Sequence, residues 1–154
     1  MVNDVLDQPT FGRFVDGEHR LALRVYFEDT DFSGVVYHAN YLRFMERARS
    51  DMLRVAGIDQ RAAHESGEGC YAVAALAIRY RLPARLDDVL LVTSRVVDVR
   101  AASCVIHQRV MRERELVAEA DVTAAFLALD GRPRRQPAAW VESFQRLQGD
   151  TGPK

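Results

Sequence analysis

Three carboxylates crowd into four positions at Glu28, Asp29 and Asp31, just ahead of Ser33-Gly34 and His38. An ionised carboxylate can take a proton from water, or attack an electrophilic carbon itself. Either chemistry needs a partner for the negative charge that develops on the substrate. The residues that follow offer one, because the pattern from His38 to Ala56 is that of a long amphipathic helix. The first N–H groups of a helix are unpaired within it and lie at the positive end of its dipole. Gly34 supplies the backbone freedom for Asp31 and the helix end to face a common point. By itself Asp31 also fits a turn or N-cap residue, and a lone histidine near a helix start also fits a cap or a surface position.

The elements that must hold this loop follow from periodicity. His19 to Phe27 reads as a first strand, with β-branched and aromatic residues toward its end. In the helix, Tyr41, Phe44, Met45, Ala48, Met52, Val55 and Ala56 share one face and Arg43, Arg47, Asp51 and Arg54 the other, with Gly57 at the C-cap. Residues 57–69 connect onward, with room for another helical turn. The period then changes to two: Leu76, Ile78 and Tyr80 alternate with Ala75, Ala77, Arg79 and Arg81 until Pro83 ends the run. Three more β-rich runs follow at 89–99, 104–111 and 116–129. Residues 132–137 form a basic, proline-bounded loop, and 138–147 fits a short helix carrying Trp140 and Phe144 at i, i+4.

One long helix followed by consecutive antiparallel strands implies an α+β layer architecture. The expected organisation is a loosely held arm over 1–18, whose Phe11 and Phe14 dock on a neighbour, a domain over 19–137, and a C-terminal helix and frayed tail over 138–154. An outer sheet face bearing Ala75, Ala77, Leu127 and Leu129 predicts association, most simply as a symmetric dimer.

Composition narrows the class. Hydrophobic content of 48%, charged content of 28% and a formal net charge of -1 are soluble-globular values that give no support to a nucleic-acid partner. No apolar run approaches the ~20 residues that span a bilayer. Residues 1–10 lack a signal-peptide pattern, so a cytoplasmic location is expected. Cys70 and Cys104 read as two buried free thiols, and His19, His64 and His107 lack metal-ligand spacing. Asp29 is expected to order the loop, and Glu46 to form an ion pair with an arginine such as Arg43 or Arg49.

The stretch RVYFEDTDFSGVVYHANYLRFMERAR, supported by RLPARLDD and the late DGRP, resembles the signature of the 4-hydroxybenzoyl-CoA thioesterase group of hotdog-fold enzymes. Within that group it is most similar to the YbgC-type branch, the acyl-CoA thioesterases associated with the Tol-Pal system. The resemblance spans roughly residues 20–137. It implies a curved antiparallel sheet wrapped around one long central helix, homodimers with sites at the subunit interface, and often homotetramers. It also implies hydrolysis of acyl-CoA without a metal or other cofactor, with acyl carrier protein as a further possible partner. By position, Asp31 matches the catalytic carboxylate, the N–H of His38 the donor that polarises the thioester carbonyl, and the His38 side chain the histidine used by the branch. Gly34, Val35, Tyr37, Asn40, Tyr41 and Arg85 are the expected substrate-binding residues. Arg79, Arg81, Arg132, Arg134 and Arg135 are further candidates for CoA phosphates. One departure stands out: Tyr26-Phe27 replaces the Tyr-Tyr of many members, which removes a hydroxyl four residues before Asp31. Competing readings are a non-catalytic module that binds acyl-CoA or acyl carrier protein, and a hotdog hydratase or dehydratase.

Overall fold

The computed structural model describes residues 5–149. Its strands are β1 (Arg13–Val15), β2 (Glu18–Arg24), β3 (Cys70–Tyr80), β4 (Val89–Val99), β5 (Ser103–Arg112) and β6 (Glu115–Leu127). Its helices are α1 (Asn40–Val55), α2 (Gln60–Glu65) and α3 (Ala138–Gly149). The strands make one curved antiparallel sheet in the order β1-β2-β4-β5-β6-β3.

The amphipathic face of α1 finds the apolar surface it needs on the inner side of this sheet. Tyr41, Phe44, Met45 and Ala48 pack with Leu21, Leu90, Val92, Val110 and Val122, with Leu76 and Ile78 against them. One to two turns further on, Met52 and Leu53 pack with Ile58, Val96, Ile106 and Phe144 of α3. The core therefore has two parts in series along one helix, and the start of α1 belongs to the first. Beneath the middle of α1, buried Arg49 donates to Gln108 Oε1 at 2.8 Å and pairs with Glu46, which meets the expectation of an ion pair there. Gln108 in turn donates to the Met45 carbonyl and to Ser94 Oγ, both at 3.0 Å, so the buried polar groups satisfy one another.

Several boundaries differ from the sequence expectation. The arm is exposed over residues 5–11 but tied down from Gly12 onward: Arg13–Val15 pairs with β2, Phe14 lying opposite His19. The N–H of Gly12 donates to Asp51 Oδ2 at 2.8 Å, the same oxygen that meets His19 Nε2 at 2.7 Å. A Cβ on Gly12 would lie 2.3 Å from the Arg20 carbonyl oxygen, so only glycine permits this approach. Phe14 packs in its own chain, against the second part of the core, while Phe11 is exposed. The first strand stops at Arg24 because Phe27–Asp29 turns into one 3-10 turn, with Asp29 Oδ2 accepting the Tyr26 N–H at 2.8 Å. Helix α1 begins two residues later than the pattern indicates, and Gly57, at φ 84°, follows its end. Cys104 is buried and its thiol is pushed up to about 11 by that burial. Cys70 is exposed instead, at the start of β3, which is the edge strand of the sheet among the described residues. Residues 150–154, most of the expected tail, lie outside the described residues, as do residues 1–4 of the arm.

Candidate active site

Asp31 opens a tight reversal. Its carbonyl accepts the Gly34 N–H at 2.9 Å, and its own N–H donates to the Val35 carbonyl at 3.0 Å. Gly34 takes φ 83°, the left-handed conformation that closes such a turn, and nothing crowds it. The chain then returns alongside itself, Thr30 bridging to Val36, and is stitched to the segment before β4: Val36 N–H donates to the Ala84 carbonyl at 2.8 Å, and Val35 bridges to Arg85. From the other side, the Asp29 carbonyl accepts the Tyr37 N–H at 2.9 Å and the Asn40 side-chain amide at 2.8 Å. A hydrogen-bonded frame therefore fixes Asp31 relative to the start of α1.

The Asp31 carboxylate has one oxygen engaged and one free. Oδ1 accepts the Ser33 N–H at 2.8 Å and also the Ser33 hydroxyl. Among the described residues Oδ2 accepts nothing. The two Ser33 donors hold the Asp31 carboxyl below the usual carboxylate range, and the charge of His38 acts in the same direction. Asp31 is thus a carboxylate at neutral pH with a lone oxygen to offer.

The opposing charge partner is backbone. The Tyr37 carbonyl accepts the Asn40 N–H at 2.8 Å, so it points into the helix. A trans peptide sets N–H opposite C=O, so the His38 N–H points back out of the helix start. Among the described residues, neither the His38 nor the Ala39 N–H has a protein acceptor. His38 itself is exposed, its ring 4.5 Å from that of Tyr37. It borders an open depression of about 300 Å³ lined also by Val36, Tyr41, Tyr80, Leu82 and Pro83.

The expected site residues thus divide by what they touch. Asp31, Gly34, Val35, Tyr37 and His38 gather at the turn and the helix start. Arg85 is brought beside them by its bridge to Val35. Asn40 is buried and committed to the Asp29 carbonyl. Tyr41 is buried too, its hydroxyl accepting the Ala84 N–H at 3.2 Å, although its ring still lines the depression. Of the other arginines, Arg81 pairs with Glu119, and Arg134 donates to the Gly67 and Glu68 carbonyls at 3.1 and 2.7 Å. Two residues of this site were not singled out from the sequence. Ser33 follows from an Asx-type turn, in which Asp bonds the backbone two residues on. Tyr80 reaches His38 across 42 positions, and no local pattern carries such a contact.

An antiparallel sheet folded around one long helix, with an acidic turn at the start of that helix, defines the hotdog class of α+β fold. The chain belongs to the thioesterase-like superfamily, whose model matches residues 25–147. It is similar to acyl-CoA thioesterase YbgC of Haemophilus influenzae, with 41% identity over 135 residues, 87% of this chain and 99% of the relative. Acyl-CoA thioester hydrolase YbgC of Escherichia coli is 39% identical over 129 residues, 82% of this chain and 96% of the relative. Among solved structures, a probable thioesterase from Bartonella henselae matches with TM-score 0.75 and 36% identity, covering 78% of this chain and 99% of that one. An Asp→Asn variant of 4-hydroxybenzoyl-CoA thioesterase, complexed with 4-hydroxybenzoyl-CoA, matches with TM-score 0.75 and 25% identity, covering 82% of this chain and 97% of that one.

Proposed function

We propose that this protein hydrolyses acyl-CoA thioesters to the free acid and CoA, with Asp31 as the catalytic carboxylate. The observation that carries the reading is an ionised Asp31 with one oxygen unengaged among the described residues, on a turn whose hydrogen bonds tie it to the start of α1, where the His38 and Ala39 amides have no protein acceptor among those residues. That arrangement suits an electrophilic carbonyl whose carbon meets the acid while its oxygen, charged in the transition state, meets N–H donors. In one route Asp31 takes a proton from water as the water oxygen bonds to the carbonyl carbon. The C–S bond then breaks, and the thiolate of CoA leaves with the electron pair. In the other, Asp31 bonds to that carbon, expels the thiolate, and water hydrolyses the resulting anhydride. A thiolate is a good leaving group, so neither route requires a strong general acid. The family relatives named as acyl-CoA thioesterases support the same reading.

His38 would orient the water or support the charged carboxylate, and its N–H and that of Ala39 would bind the carbonyl oxygen. Gly34, Val35 and Tyr37 would line the approach, Asn40 and Tyr41 holding its frame. Arg85, on the neighbouring segment, suits a CoA phosphate through bidentate donation. Asp31 is exposed in a single chain. A second copy, paired through the outer edge of β3, would shelter the site and make it an interface feature of a homodimer, with tetramers built from such pairs. Acyl carrier protein could present the same thioester in place of CoA. A CoA substrate and an exposed free thiol at Cys70 fit a reducing cytoplasm.

Release of thiol from acyl-CoA substrates of graded chain length tests the reading. Asp31→Asn is expected to lower turnover at least ~10²-fold with the fold intact, and His38→Ala to lower it less. Wild-type turnover in Asp31→Asn would remove the carboxylate from the mechanism.

A further inference from the structure

The last residue of β3 touches the proposed oxyanion site from behind. The hydroxyl of Tyr80 donates to the His38 carbonyl at 2.9 Å. The helix does not use that carbonyl, because the Leu42 N–H that would reach it bonds the Ala39 carbonyl instead, at 3.2 Å. The Tyr80 hydroxyl is therefore its donor among the described residues. In a planar trans peptide the direction of one carbonyl fixes the direction of the following N–H. With the His38 carbonyl held toward Tyr80, the Ala39 N–H points away from Tyr80.

The ring that carries this hydroxyl is half-exposed and braced by two aromatic neighbours. It meets the His38 ring edge-on at 6.3 Å and 88°, and the Tyr41 ring at 5.5 Å and 65°. Tyr41 is in turn buried and pinned to Ala84. Partial burial also pushes the phenol above its ordinary value, so it is a donor at neutral pH.

We infer that Tyr80 is a positioning residue of this site, aiming the Ala39 amide and steadying the His38 ring through its bond to the His38 carbonyl. The inference rests on the thioesterase reading above and adds to it a residue that acts through the His38–Ala39 peptide. A preorganised donor contributes only when its direction is fixed before the charge develops. Loss of the hydroxyl should therefore appear in kcat and not in substrate affinity.

Tyr80→Phe keeps both ring contacts and removes only the hydroxyl. In a thiol-release assay of the full chain, kcat is expected to fall ~10-fold while KM stays within ~2-fold, less than the loss on deleting an oxyanion donor outright. The melting temperature should change little, since the ring packing is retained, and it is read alongside to establish that the variant is folded. Tyr80→Leu, which loses the ring contacts too, should fall further in kcat. A purely structural Tyr80 predicts the reverse pattern, a lower melting temperature with wild-type kcat, and that result overturns the inference. An active wild type with Tyr80→Phe at full turnover removes this inference alone. A wild type that releases no thiol removes it together with the reading it rests on.

Discussion

Asp31 and Ser33 meet through a single oxygen, and that contact sets the lower pH limit of the proposed activity. The Ser33 hydroxyl contributes most to holding the carboxyl down and the Ser33 N–H next; desolvation opposes them, and the His38 charge, the least of the four, adds to the lowering. A group with a depressed pKa is in its charged, working form above that value and loses it as pH falls through it. The acid limb of kcat/KM should therefore lie below the ordinary carboxylate range. Ser33→Ala removes the largest of these contributions and leaves the backbone bond. The acid limb is then expected to move to higher pH, toward the ordinary aspartate value, with the plateau changed by less than ~3-fold. A limb that does not move would mean that a different group titrates in that range. Phe27, exposed at the 3-10 turn ahead of Asp31, has no hydroxyl to add to this balance.

At the scale of elements, the structure divides α1 between two packing regions, and this separates stability from chemistry. Phe144 of α3 is fully buried among Met52, Leu53, Val96 and Ile106, at the end of α1 away from Asp31. Phe144→Ala is expected to cost about 3–5 kcal/mol in urea denaturation, while kcat measured well below the melting transition stays near wild type. A large fall in kcat for the folded variant would mean that the two ends of α1 are coupled. The long elements were legible in the sequence because each has a sustained period. Leu76 and Ile78 do face the core while Ala75 and Ala77 are exposed, and the run over 89–99 is β4. β1 was not legible, since three residues carry too little alternation, although Asp16-Gly17 is a hairpin cue. The acidic turn was legible from Asp31 to Gly34, because turns are written locally. Tyr80 and the buried Arg49–Gln108 pair join residues 42 and 59 positions apart, and such contacts exist only once the sheet has curved around the helix.

At the scale of the whole molecule, the two edges of the sheet are unlike. β1, at one edge, has only 3 residues, too short to template another strand. β3, at the other, runs for 11 residues with Arg79 as its one charge, and its side chains from Ala72 to Ala75 are all exposed. A long edge with a single charge near its end offers a pairing surface for another strand. The economical cover is a second β3, antiparallel around a two-fold axis, which would join two six-stranded sheets into one. If the two copies pair over their full length, the axis falls at the middle of Cys70–Tyr80, which is Ala75. Ala75→Lys is therefore expected to set two like charges face to face and to convert a dimer, measured by light scattering at micromolar concentration, into a folded monomer. Turnover should fall with it, because Asp31 loses its shelter and Tyr80, at the end of β3, loses the neighbour that steadies its strand. A wild-type chain that scatters as a monomer, or an Ala75→Lys chain that remains a dimer, would place the interface elsewhere. A monomeric Ala75→Lys chain with full activity would make the acidic turn and the helix start sufficient on their own.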